Sequence, residues 1–419
     1  VPLALLALII SAFGIGTTEF VTMGLTPQLT AEFGVSVPAV GLLVSAYAFG
    51  VTVGAPVLTA LGARLPRKTM LLGLMTLYLA GNVLSALAPT YGVLMTGRIV
   101  ASLTHGAFFG IGAVVAAELV APDRKARAIA LMFTGVTLAN VLGAPAGAFI
   151  GQQLGWRAAF WAIVAIGVIA FAGLAALVPA RPRPANAGLR KEIAAFARPQ
   201  VWLALGMTAI GYAPVFAVYT YIEPISTRVA GFDGGAVPFV MVLFGVGLVA
   251  GNLFGGRLAD RALMPAIYGT LGGITVVSLA FWFTAHSRVA LVVTVALFGF
   301  IGFASVPPLQ TRMLNAADGA PALASAANIG AFNLGNALGP FLSGLAIDAD
   351  LGYTSPSWIG GALGATGLAI AVLAGTLARA ARRAGRPVPA TPRTDRTVEP
   401  SRAGEPYDSG HDRARFPAG

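Results

Sequence analysis

Long apolar stretches alternate with short polar breaks along almost the whole chain. One helix needs about 20 mostly apolar residues to cross a bilayer. Within lipid it also satisfies its own backbone hydrogen bonds. Read this way, the pattern predicts spans over 3–29, 39–61, 69–89, 92–119, 127–151 and 157–178. A second set follows over 200–225, 236–256, 265–285, 289–314, 321–347 and 354–378. The expectation is an all-α membrane protein of 12 transmembrane helices in two six-helix bundles, 1–178 and 200–378. A polar linker over 179–199, carrying a short amphipathic helix, should join them. From 379 to 419 the sequence is rich in Pro, Arg, Ala and Thr without apolar periodicity, and a disordered tail is expected. The first stretch lacks a basic leader and a small-residue cleavage site, so it reads as a span rather than a removed signal peptide.

Composition agrees. The 419 residues are 57% hydrophobic and 10% charged, with mean hydropathy +0.80. A soluble domain is about a quarter charged. Cysteine is absent, which excludes disulfides, thiolate metal sites and Cys nucleophiles. His105, His286 and His411 are too scattered to suggest a metal centre, and no cofactor is expected.

The net charge of +11 marks a topology. With both termini in the cytoplasm, the cytoplasmic loops, linker and tail hold 23 of the 27 Lys and Arg. Without the tail the balance is 14 inside against 3 outside. The positive-inside rule explains most of the charge, and no nucleic-acid partner is needed.

The halves also resemble each other. LANVLGAPAGAFIGQQLGW (138–156) matches LGNALGPFLSGLAIDADLGY (334–353), pairing Asn140 with Asn336 and Gly143 with Gly339. LGARLPRK (61–68) has its counterpart in FGGRLADR (254–261). Duplicated halves that rock about a central site are the usual physical meaning of such repeats.

Those residues resemble a known family. Gly256-Arg257-Leu258-Ala259-Asp260-Arg261 is similar to the loop signature of the major facilitator superfamily. In the first-half copy Arg64, Arg67 and Lys68 match the basic positions, whereas Ala63 stands where the family usually has Asp. Gly97-Arg98 through Gly106 is similar to the family's arginine-and-glycine fourth helix. Gly143-Ala144-Pro145-Ala146-Gly147 looks like a variant of its antiporter signature. GIGTTEFVTMGLTPQL (14–29) resembles the first helix of bacterial drug:proton antiporters, in the branch with sugar-efflux and chloramphenicol-efflux permeases. The resemblance implies a proton-coupled antiporter of the bacterial inner membrane that exports small organic compounds. It also implies gating roles for Arg64, Arg67, Lys68, Gly143, Pro145 and Gly147.

Polar residues inside apolar spans supply the candidate chemistry. Glu19 lies deep in the first span, where an acidic side chain costs roughly 2.5–3.5 kcal/mol. It persists there if it faces a cavity and can become neutral. Gly16, Glu19, Thr22 and Thr26 make one small polar face, so Glu19 is the expected proton-coupling group and Thr22 a substrate contact. Arg98, Ser102 and His105 share a face of the fourth span. Arg98 could tune a protonatable group, and His105 either titrates or packs as a neutral ring. In the seventh span Tyr212, Phe216, Tyr219 and Glu223 fall at one-turn spacings, suiting an aromatic or cationic substrate. Asn328, Phe332 and Asn336 share a face of the eleventh; their amides either bind substrate or bridge helices. Arg257, Asp260 and Arg261 would form a cytoplasmic charge lock.

The expected partners are a small-molecule substrate, protons and the bilayer, in a monomer. An importing symporter or facilitator is the nearest alternative, and a non-transporting sensor one of another class. An enzyme is not expected, since no G-x-x-x-x-G-K-[ST], H-E-x-x-H or G-x-S-x-G occurs.

Overall fold

The computed structural model describes residues 3–62, 65–121, 124–180, 194–317 and 321–383. Arg64, most of the linker and the tail beyond Arg383 lie outside them. Among the described residues twelve long helices follow one another: α1 (Leu3–Phe33), α2 (Val37–Thr59), α3 (Arg67–Ala86), α4 (Tyr91–Glu118), α5 (Arg127–Leu154), α6 (Trp156–Leu177), α7 (Pro199–Tyr219), α8 (Gly234–Arg261), α9 (Leu263–Thr284), α10 (Arg288–Ala316), α11 (Pro321–Asp348) and α12 (Ser355–Ala381). Eleven are long and apolar enough to cross a membrane. The other, α11, is 28 residues long, but Asn328, Asn333 and Asn336 hold its hydropathy down.

Local chemistry sets the boundaries. Gly34 (φ +63°) ends α1 in the left-handed region, and Gly155 (φ +85°) makes the tight corner between α5 and α6. The Thr90 hydroxyl accepts from the Val93 amide and caps α4. The final helical segment runs to Arg383, past the expected start of the tail at 379. Over 376–383 its Ala- and Arg-rich sequence is strongly helix-forming and free of Gly and Pro. At the linker's described end Ala194 is helical and a 3₁₀ turn, Ala195–Ala197, leads into α7; the rest of the expected amphipathic helix lies outside the described residues.

Packing repeats with the sequence. In the first half α1 packs on α5 and α6, α2 on α4, and α3 on α4 and α6. In the second, α7 packs on α11 and α12, α8 on α10, and α9 on α10 and α12. Adding six to each helix number turns one set into the other. The halves meet where α2 packs against α11 and where α5 packs against α8, and the same operation exchanges these two seams. The fold is therefore two pseudo-symmetric six-helix bundles. Lipid supplies no hydrophobic drive between helices, so close approach of small residues matters more. Side chains built on Gly143, Gly147 and Gly151 of α5 would collide with Thr17, Val21 and Leu25 of α1, turn by turn.

Candidate functional site

Helix α1 is not regular through its length. After Val21 it tightens into a 3₁₀ turn, Thr22–Leu25, before continuing from Thr26. Glu19 sits just before that turn, 6% exposed. Its Oε1 accepts from Nδ2 of Asn336 at 3.4 Å, a hydrogen bond from α1 in one half to α11 in the other. Its Oε2 lies 3.9 Å from Nδ1 of His105 on α4. One carboxyl thus touches both halves.

Arg98 is fully buried beside it. Its guanidinium donates to the carbonyl of Thr18 and, at 3.2 Å, to the carbonyl of Glu19. It also lies over the ring of Tyr47, with Cζ 4.3 Å from the centroid. Carbonyl oxygens and a ring face are what a cation that never deprotonates can use in place of water. Its Nε has no partner among the described residues. The cation is anchored to the backbone at Glu19 rather than to its carboxylate. The Tyr47 hydroxyl lies 3.4 Å from Nδ1 of His105, joining α2 to the cluster. Below it, the Thr18 hydroxyl is 3.0 Å from that of Tyr78 and 3.3 Å from Oδ1 of Asn82, both on α3.

The second half faces this cluster with aromatic rings. Tyr212 of α7 meets Phe332 of α11 edge-on at 4.8 Å and Phe303 of α10 at 5.9 Å. Phe216, one turn on, lies 5.6 Å from Phe20 of α1, next to Glu19 in sequence. Tyr219 stacks on Phe244 of α8 at 3.7 Å.

The structure divides the candidate residues. Glu19, Arg98, His105 and Asn336 come together, with Tyr212, Phe216 and Phe332 forming the aromatic wall. Thr22 is buried, its hydroxyl unpartnered among the described residues. Asn328 instead donates to Oε1 of Gln310 at 2.7 Å, and so bridges α10 and α11 rather than joining Asn336. Glu223 lies beyond the end of α7 in a short turn, its carboxylate accepting from the Thr227 hydroxyl at 3.2 Å. Arg67 pairs with Glu118 at the end of α4, and Lys68 donates to the Ala175 carbonyl of α6 at 2.6 Å. Both contacts lie within the first half. Arg257, Asp260 and Arg261 are at least partly exposed, and no ion pair joins them among the described residues. Pro145 follows a π-helical turn, Ala139–Gly143, since it has no amide hydrogen to offer the Val141 carbonyl.

Sequence reasoning passed over Tyr47, Tyr78, Asn82 and Phe20. Asn82 had a signal, an amide within an apolar span. The aromatic residues had none, because apolar helices carry many such rings and only tertiary packing selects these.

Twelve membrane-length helices in two related halves, with an ionisable cluster where the halves meet, define a multi-pass membrane transporter. The Major Facilitator Superfamily pattern matches residues 8–328, and the chain belongs to that family. It is 47% identical over 350 residues to the inner membrane transport protein YdhP of Escherichia coli O157:H7, covering 84% of this chain and 90% of that protein. To the chloramphenicol resistance protein of Streptomyces lividans it is 36% identical over 376 residues, covering 88% and 95%. The fold is also that of a bacterial homologue of the human lysosomal transporter Spinster. That comparison has a TM-score of 0.71 at 18% identity, covering 92% of this chain and 98% of that one.

Proposed function

We propose that this chain is a proton-coupled antiporter that exports small organic compounds across the bacterial inner membrane by alternating access. The observation that carries the reading is the Glu19 carboxyl, buried in the first half and hydrogen-bonded to Asn336 of the second. Gain or loss of one proton there changes a contact between the bodies that must move. An ionised Glu19 accepts from the Asn336 amide and attracts Arg98. A protonated Glu19 is neutral and can donate to the Asn336 carbonyl oxygen, which is otherwise buried without a partner among the described residues. Substrate would lie against Tyr212, Phe216 and Phe332 with Thr22 in reach, leave on the far side as a proton arrives, and the protonated carrier would return. Arg98 and His105 tune the carboxyl's surroundings. Similarity to the Streptomyces chloramphenicol resistance protein supports efflux. The distribution of basic residues supports cytoplasmic termini; in this reading the bundles at 1–178 and 200–378 are the bodies that rock, and the working unit is a monomer.

The test is transport in everted vesicles. Energised vesicles should release protons when a compound drawn from a toxic-compound panel, chloramphenicol included, is added. Glu19→Gln should insert normally and lose this response. Uphill export retained by Glu19→Gln would end the reading, and substrate uptake driven by acidifying the medium around right-side-out vesicles would replace antiport with symport.

A further inference from the structure

Beyond the end of α7, Tyr221 turns into the seam between α2 and α11, at the end of the bundles opposite the linker. It is 1% exposed. Its hydroxyl donates to the carbonyl of Pro340 in α11 at 2.9 Å. Its backbone is held as well: its amide donates to the Val218 carbonyl and its carbonyl accepts from the Ile225 amide. The side chain is therefore fixed to its own half. What it meets on the other half is Gly41 of α2. A Cβ on Gly41 would run into the Tyr221 hydroxyl, and would stand 2.8 Å from Cζ and 3.1 Å from Cε1. A Cβ on Gly344 of α11 would lie 2.8 Å from the same hydroxyl and 3.4 Å from the Pro38 side chain. The receiving surface is equally anchored in its half, since the Tyr91 hydroxyl of α4 donates to the Ala39 carbonyl at 2.6 Å.

We infer that Tyr221 is the closing residue of the gate at this end, a knob held by the second half and seated in a socket that Gly41 leaves in the first. The hydrogen bond to Pro340 stays within one half, so parting the halves need not break it. The close packing of Tyr221 against Gly41 separates, while the Tyr221 hydroxyl keeps its own partner on opening. A stiff aromatic knob suits such a gate, because it reaches across the seam and its burial excludes water at the point where a leak would form. Residues at this position therefore bear on the transport cycle without touching the substrate or the proton site.

The inference rests on the alternating-access reading above, but its test needs neither substrate nor proton. The chain has no cysteine, so a single Ser45→Cys reporter, at a buried position one turn deeper in α2, can be labelled with a membrane-impermeant maleimide from the end opposite the linker. Gly41→Ala should raise that labelling rate about tenfold by propping the seam open, while Gly73→Ala, whose added Cβ meets nothing within 4 Å, should not. Adding Tyr221→Leu to Gly41→Ala should bring the rate back down several-fold, the coupling expected of residues in direct contact. If Gly41→Ala alone does not fold, recovery of folded protein by Tyr221→Leu supports the contact equally. Labelling unchanged by Gly41→Ala, or no suppression by Tyr221→Leu, overturns the inference. Failure of the Glu19→Gln experiment would leave these results standing.

Discussion

The two sides of the candidate site are built from different materials although the halves share one fold. The α1–α4 side carries the ionisable groups Glu19, Arg98 and His105, with Tyr47, Tyr78 and Asn82 around them. The α7–α11 side carries rings, Tyr212, Phe216, Phe303 and Phe332, and one amide, Asn336. Duplication preserved the helix packing and the two seams, while the chemistry diverged. The separation suggests a division of labour between charge on one side and apolar recognition on the other. Asn336 is where they meet.

The largest effect should come from the charged side. Arg98→Met removes a cation that bonds two carbonyls of α1 and covers the Tyr47 ring. Charge-assisted hydrogen bonds are worth about 1.5–3 kcal/mol each, so transport should fall on the order of a hundredfold. Arg98→Lys should do nearly as badly, since an ammonium cannot span both carbonyls while stacking on the ring. Initial export rates in vesicles with matched expression check both, and a functional Lys variant would show that charge alone matters.

The aromatic side should behave differently. Phe216→Ala removes a buried ring against Phe20, and aromatic contacts are worth about 0.5–1.5 kcal/mol beyond area burial. The apparent KM should rise roughly tenfold, while the ratio of protons moved to substrate moved stays constant. Loss of coupling in Phe216→Ala would break the division between the two sides.

How much of this could be read in advance varies by region. The twelve spans were legible because lipid forces uninterrupted apolar helices, and even the hydropathy-poor α11 was recovered, since its asparagines interrupt an otherwise apolar run. Glu19, Arg98 and His105 stood out because ionisable groups in lipid are rare. Which amide would meet Glu19 was not legible. Asn328 and Asn336 share a face, yet eight residues carry them about 12 Å apart along the helix, and one reaches Gln310 while the other reaches Glu19. The seam contact of Tyr221 with Gly41 joins positions far apart in the chain, with nothing local in either sequence to announce it.

A smaller effect should separate Asn336 from its repeat partner. The Asn336–Glu19 hydrogen bond is long, 3.4 Å, and a typical hydrogen bond contributes about 1 kcal/mol, so Asn336→Ala should lower coupled export about fivefold and make the rate less sensitive to an imposed proton gradient. Asn140 occupies the equivalent place in α5, but its amide donates back to the Val136 carbonyl of its own helix at 3.0 Å. Asn140→Ala should leave the gradient dependence unchanged, and equal effects from the two variants would dissolve the asymmetry.

The smallest effect concerns the repeated loops. After α2, Arg67 is paired with Glu118 and Lys68 with a carbonyl of α6, which binds three helices of one half together. In the last turns of α8 the corresponding Arg257, Asp260 and Arg261 stand in the open. Exposed charges contribute about 0–1 kcal/mol even when paired, so Asp260→Ala should change thermal stability little and linker-side cysteine labelling by no more than about twofold. Glu118→Gln, which removes a partly buried carboxylate from beside a cation, should lower stability measurably more. If Asp260→Ala instead matched or exceeded Glu118→Gln in its effect on labelling, the open end of α8 would be the part that closes against another element during the cycle. The paired loop would then be the passive brace, and the order of the two repeats in gating would be reversed.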